Sequence, residues 1–267
     1  MVGKPIGLAL CCLLGFGAPA ARAQMIPVEP VLAGKAFASD KTKTLLWESR
    51  NSVATLVYIP GGEGQIGLRE GRSDIGGFYG TTLKPLSNPA LTSGRLNVVL
   101  FDSPSMLPSG SVYPSSRATS DHLMRIESVV LHYKEKLGKP IWLMGHSNGA
   151  VSITEFYKRL QKSKTEQLVA GMVYSSARNG ADFNSATTNL PVLFLAHYND
   201  GCAGAMPGES KAVYERLKKV DTAPVEYVLI RGGSSEGDPC RSGYHMFFGA
   251  GPEAYKAIDS FIGGFYK

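Results

Sequence analysis

Ser147 lies in Gly145-His146-Ser147-Asn148-Gly149, directly after the apolar run Ile141–Met144 and directly before Ala150, Ile153, Tyr157 and Leu160, which recur at helical spacing. Glycines flanking a serine where a strand runs into a helix mark a nucleophile held on a sharp turn. Larger side chains at the glycine positions would collide with strand and helix, and the hydroxyl is left projecting from the bend. The chemistry open to such a serine is attack on a carbonyl carbon. The unpaired N–H groups at the start of the next helix favour the negative charge that develops. The pattern recurs at Gly233-Ser234-Ser235-Glu236-Gly237. There Asp238-Pro239 follows and no apolar helical period begins, so this second copy reads as a loop.

Other reactive residues are few. Five histidines (122, 132, 146, 197 and 245) and four cysteines (11, 12, 202 and 240) show no Cys-x-x-Cys or His-x-x-x-His spacing, so no metal ligands are assigned. No organic cofactor is called for either. Gly61-Gly62-Glu63-Gly64 is glycine-rich but lacks the Lys-Ser/Thr of a phosphate-binding loop. His122 and His132 fall on a helical period and read as surface residues, whereas His146, inside the turn, reads as packing.

The elements that must position these groups alternate along the chain. Short β-branched or apolar runs occur at Thr44–Trp47, Val53–Ile59, Leu96–Phe101, Ile141–Met144, Leu168–Tyr174, Pro191–His197 and Val225–Ile230. Several are apolar on both faces, which suits the middle of a mostly parallel sheet. Between them Leu123, Ile126, Val130, Tyr133 and Leu137 form one helical stripe, Val213, Leu217 and Val220 a second, and Tyr255, Ile258 and Ile262 a last. The expected fold class is α/β, a central, mostly parallel sheet with helices on both faces, and ligands then bind at the carboxyl ends of the strands.

Composition bounds the function. A chain of 267 residues, 43% hydrophobic and 19% charged, supports one large core. Its mean hydropathy near zero excludes a polytopic membrane protein. Lys4, the apolar run Ile6–Phe16 and the small residues ending Ala21-Arg22-Ala23 read as a secretory signal peptide cleaved after Ala23. The run is too short for a permanent bilayer anchor, so no integral membrane association is expected. The expected domains are therefore the signal, 1–23, and a single α/β domain, 24–267, exported to the periplasm or the extracellular medium. Cleavage would lower the formal charge from +6 to +4 and remove Cys11 and Cys12. In an exported chain the remaining pair, Cys202 and Cys240, favours a disulfide over a metal site. The remaining basic residues cluster at Lys158, Arg159, Lys162 and Lys164 and at Lys211, Arg216, Lys218 and Lys219, as solvated helix faces. No nucleic-acid-binding motif accompanies them.

With the elbow, its flanking elements and the strand–helix alternation taken together, the chain resembles the α/β-hydrolase superfamily, in a minimal, lidless, serine esterase-like or lipase-like form, over nearly all of residues 24–267. The resemblance implies a serine, an acid and a histidine in that chain order, each after its own strand. Ser147 is then the nucleophile. Asp200, in the loop after Val192–His197, is the acid, with Asp182 as the alternative, and His245 is the histidine downstream of Asp200. His197 reads as steadying the acid loop. The oxyanion donors implied are the backbone N–H of Asn148 and that of Gly62 or Glu63, in a loop where Pro60 replaces the histidine common among relatives. Cys202 and Cys240 flank the acid and the histidine in sequence, so the resemblance brings them close enough to bond.

The activity implied is hydrolysis of carboxylic esters through an acyl-serine. A peptidase or thioesterase using the same triad, or a non-catalytic binding module on the same scaffold, are the alternatives. The short stretch Ser175–Leu190 leaves no room for a lid domain, which favours accessible, small or polymeric esters. Met106, Leu107 and Tyr113 are candidates for an acyl pocket, and Phe247 and Phe248 read as core.

Overall fold

The computed structural model describes residues 23–28, 41–69, 77–103, 114–183 and 187–267. The predicted signal peptide and the acyl-pocket candidates Met106, Leu107 and Tyr113 lie outside the described residues, apart from Ala23. The strands are β1 (Ala23–Val28), β2 (Thr42–Trp47), β3 (Ala54–Ile59), β4 (Leu96–Asp102), β5 (Ile141–His146), β6 (Gly171–Ser175), β7 (Val192–His197) and β8 (Val225–Ile230). They form one sheet in the order β1-β2-β4-β3-β5-β6-β7-β8. From β4 onward every pairing is parallel, whereas β2 is antiparallel to both β1 and β4.

The strands are apolar on both faces because each face carries its own core. Along β3, Val57 and Ile59 enter one cluster and Leu56 and Tyr58 the other. The same alternation separates Val99 and Phe101 from Val98 and Leu100, and Val192 and Phe194 from Leu193 and Leu195. Helices α1 (Ser120–Leu137), α2 (Asn148–Ser163) and α3 (Pro207–Val220) contribute to the first cluster; α4 (Gly251–Gly263) joins Phe78, Leu83 and Leu86 in the second. Gly138 ends α1 in the left-handed conformation (φ 61°), which spares a side chain the steric cost there.

Each run expected to be a strand is one, to within three residues at its ends. β1 went unrecognised because its six residues, Ala-Gln-Met-Ile-Pro-Val, lack alternation and contain Pro27, which cannot donate to a ladder and is tolerated at a sheet edge. Glu155 pairs with Lys158 (2.8 Å) within α2, and Arg159 pairs with Glu127 (3.2 Å) across to α1. No helix among the described residues is long and apolar enough to cross a membrane.

Strand order determines where a site can form. From β3 the chain moves to β4 on one side and then returns through α1 to β5 on the other. The loops leaving the carboxyl ends of β3 and β5 therefore diverge around a crevice, the place where an open α/β sheet accepts a ligand. Those two loops carry Gly61-Gly62 and Ser147.

Candidate active site

Ser147 has φ 53° and ψ −121°, a backbone conformation rarely taken by a residue with a side chain and worth about 1–3 kcal/mol of strain. Its neighbours hold it there. The Ser147 N–H donates to the Ser175 carbonyl (2.9 Å), and its own carbonyl accepts from Ala150 N–H (3.0 Å) and Arg178 N–H (3.3 Å). A Cβ on Gly145 would run into the Gly149 carbonyl, and one on Gly149 into the Ile59 carbonyl. Both glycines of the motif are thus required by close packing, as expected. A third glycine went unanticipated: a Cβ on Gly61 would stand 2.8 Å from the Ser147 Cβ. The loop after β3 lies directly against the serine.

The loops after β7 and β8 bring Asp200 and His245 together. His245 Nδ1 donates to Asp200 Oδ2 (2.8 Å), with both side chains withdrawn from solvent. The other carboxylate oxygen, Oδ1, accepts the Cys202 N–H (2.9 Å). His245 Nε2 is buried and has no hydrogen-bond partner among the described residues. The His245 ring packs on His146, the residue before Ser147, at 4.8 Å between centroids. Burial and the neighbouring His245 push the His146 imidazole well below its usual pKa, so it stays neutral. Its nitrogens face Ser175 Oγ (3.0 Å) and Met246 Sδ (3.1 Å). Asp182, the alternative acid, stands apart from this group: it is partly exposed and forms an ion pair with Arg216. Of the two carboxylates, Asp200 is the one that meets the histidine.

His197 steadies the acid loop as expected. Asn199 N–H donates to its Nδ1 (3.1 Å), which leaves Nε2–H to donate to the Gly232 carbonyl (2.8 Å). Its ring stacks on Tyr244 at 4.5 Å, beside the histidine loop. Phe247 is core, as expected, but Phe248 is 54% exposed. The left-handed turn at Phe247 (φ 51°) puts consecutive side chains on opposite sides, so one of the two faces solvent. Gly233–Gly237 is a loop, and no helix begins directly after it.

Three further groups escaped the sequence reading. Ser176, at φ 41°, donates its hydroxyl to the His245 carbonyl (3.0 Å) and its N–H to the Leu195 carbonyl (2.8 Å). With Ser175 and Arg178 on the Ser147 backbone, the turn after β6 therefore touches the serine loop, the histidine loop and the acid strand. His122 is buried, not at the surface, with Nε2 against Ser152 Oγ (2.9 Å) and its ring edge-on to Phe101. It lies on the inner stripe of α1, one residue before Leu123; His132 is partly exposed. Burial, then Arg117 and Arg125, lower the His122 pKa to about 3. Arg117 is buried behind the loop after β3 and binds Pro60, Gly61 and Gly62. Its 3₁₀ turn, Pro114–Ala118, has no periodicity that would have marked it.

The backbone N–H groups of Gly62 and Asn148 donate to no group among the described residues, as an anion site requires. Gly62 takes φ 51° and its carbonyl accepts from Asn148 Nδ2 (3.3 Å), which ties the two donor loops together. The Glu63 side chain pairs with Arg241 (3.3 Å).

Cys202 and Cys240 form a disulfide across 38 residues of sequence. It joins the loop of Asp200 to the segment that leads into His245. In the chain-entropy model, closing such a loop contributes about 4 kcal/mol. Reduction with a thiol at neutral pH is expected to lower Tm by roughly 8–16 °C and to slow cleavage of a p-nitrophenyl ester, the reaction proposed below, more than tenfold well below the new midpoint. Differential scanning fluorimetry beside a rate assay measures both. Unchanged activity in fully reduced, folded protein would show that the bond has no part in holding Asp200 to His245.

No protein-family model matches the chain, and no curated protein is similar to it in sequence. Solved structures do match. A serine hydrolase without a lid from Xanthomonas campestris aligns with a TM-score of 0.59 at 13% identity, over 92% of this chain and 97% of that one. Dienelactone hydrolase from Anabaena variabilis aligns at 0.56 and 13%, over 91% and 98%. An acylaminoacyl peptidase of Pyrococcus horikoshii aligns at 0.56 and 10%, over 92% of this chain but 42% of its own. Identities this low carry the architecture and no more. The strand order, the strained turn at Ser147 and these likenesses together give the chain the α/β-hydrolase fold.

Proposed function

We propose that this chain is an exported serine hydrolase that cleaves carboxylic esters, with Ser147 as nucleophile, His245 as base and Asp200 as the group that orients it. One observation carries the reading most: a buried histidine with Nδ1–H committed to a buried carboxylate and Nε2 left unpaired, packed against the residue that precedes a strained serine. In the reaction, Nε2 takes the Ser147 hydroxyl proton as Oγ bonds to the ester carbonyl carbon. The oxyanion is received by the N–H groups of Gly62 and Asn148. Nε2 then returns the proton to the leaving alcohol as the C–O bond breaks. Water, deprotonated by the same nitrogen, releases the acid and restores Ser147.

Two features support an open site for accessible or extended esters. No helix occurs among the described residues between β6 and β7, and a fold relative is described as lacking a lid. A disulfide between the only cysteines outside the predicted signal agrees with export to an oxidising compartment. Treatment with a fluorophosphonate is expected to leave one adduct, on Ser147, by peptide mass spectrometry; an unmodified Ser147 overturns the enzyme reading. On a panel of p-nitrophenyl esters and anilides, the esters are expected to turn over faster, and preferential anilide cleavage would replace esterase by peptidase.

A further inference from the structure

Arg117 has its guanidinium buried, with the residue 1% exposed. Nη1 donates to the Pro60 carbonyl (3.1 Å) and to Ser152 Oγ (3.1 Å); Nη2 donates to the carbonyls of Gly61 (3.3 Å) and Gly62 (2.6 Å). Three consecutive carbonyls thus point at one cation. In a trans peptide the N–H of the next residue points opposite to the carbonyl. Turning the carbonyls of residues 60, 61 and 62 onto Arg117 therefore turns the N–H groups of residues 61, 62 and 63 away from it. Gly61 of the same loop lies against Ser147. The cation sets the polarity of the loop that supplies an oxyanion donor.

Its charge is also poorly compensated. No carboxylate lies within ion-pair distance of Arg117 among the described residues. Glu63 acts on it only from farther off and is itself drawn toward Arg241. The remaining contact of Arg117 leads to a neutral chain: Ser152 accepts from Arg117 and faces His122, which burial and two arginines keep unprotonated. A buried cation without a close counter-charge is costly to hold. A tetrahedral oxyanion at the Gly62 and Asn148 amides would supply the missing negative charge only while it exists, which is the condition for stabilising a transition state more than a substrate.

We infer that Arg117 is a positioning residue of the oxyanion hole: it orients the N–H groups of the loop after β3 and places behind them a positive charge that is balanced when the tetrahedral anion forms. This rests on the hydrolase reading above. The test uses the full-length disulfide-bonded enzyme with p-nitrophenyl acetate, alongside fluorophosphonate labelling of Ser147. Arg117→Gln keeps a planar amide but removes the charge. It is expected to lower kcat about 100-fold, the scale of losing one oxyanion donor, with KM within threefold and with a similar loss of affinity for a boronic acid that forms a tetrahedral adduct on Ser147. Arg117→Lys keeps the charge without the fork, and is expected to recover part of kcat, to about tenfold below wild type. Folded Arg117→Gln with kcat within threefold of wild type, or with its loss entirely in KM, overturns the inference while labelled Ser147 leaves the hydrolase reading standing. If Arg117→Gln does not fold, Arg117→Lys decides, and kcat within twofold of wild type overturns it. Wild-type enzyme that is neither labelled nor active overturns both.

Discussion

His245→Ala is expected to lower kcat for an activated ester by about 10⁴- to 10⁶-fold, with KM changed by less than fivefold. The loss is this large because in the proposed mechanism the imidazole serves twice, removing the Ser147 proton and later activating water, and no second base among the described residues is placed to substitute. His146 touches the same ring but is kept neutral with both nitrogens already engaged by Ser175 and Met246, and His197 is turned away onto Gly232. The structural cost is separable. Without His245, the buried Asp200 carboxylate loses one of its two hydrogen-bond donors, keeping the Cys202 N–H. A weakened buried carboxylate of this kind costs about 1–3 kcal/mol, so Tm should fall by roughly 2–12 °C. Steady-state kinetics well below that midpoint isolate the chemical effect. A variant retaining a tenth of wild-type kcat would remove His245 from the mechanism.

Asp200→Asn is expected to cost about 10³- to 10⁴-fold in kcat, whereas Asp182→Asn should leave kcat within threefold. The two carboxylates differ in what surrounds them. Asp200 Oδ1 is committed to the Cys202 N–H and Oδ2 to His245 Nδ1. After Asp200→Asn the new side chain's carbonyl oxygen takes the place of Oδ1, since only an acceptor satisfies the Cys202 N–H, and its NH₂ group then faces the imidazole. His245 must answer with an unprotonated Nδ1, which puts its proton on Nε2, the atom that accepts one from Ser147 in the proposed mechanism. The geometry survives and the tautomer is wrong. Asp182 is partly exposed and paired with Arg216, so its loss removes a surface ion pair. Parallel kinetics on the two variants decide between the acids: a larger loss at Asp182 would transfer the role to that residue.

Much of the fold was legible because its signals are local. Strands buried on both faces must be continuously apolar, and helices laid on them must carry a stripe, so β2 to β8 and the four helices could be read from spacing alone. β1 could not, since a short edge strand with a proline is fixed by its pairing to β2 and not by its own pattern. His122 was misread for a related reason. A polar residue inside the inner stripe of a helix is buried only if another element satisfies it, and Ser152 comes from a different helix.

The site divides along the same line. Sequence alone determined the serine between glycines and the two cysteines, and the resemblance it carries supplied the acid and histidine candidates in chain order. Tertiary structure decided which carboxylate meets the histidine: Asp200 and Asp182 both follow strands, the sequence ranked Asp200 first, and only Asp200 lies against His245. It also decided the role of Gly61, whose missing side chain matters because Ser147 stands 86 residues later in the chain and at van der Waals distance in space. Arg117 belongs to the same class. A buried arginine has no sequence signature, because its meaning lies in the three carbonyls that surround it, and the backbone bends them toward it only once the sheet has brought the two segments together.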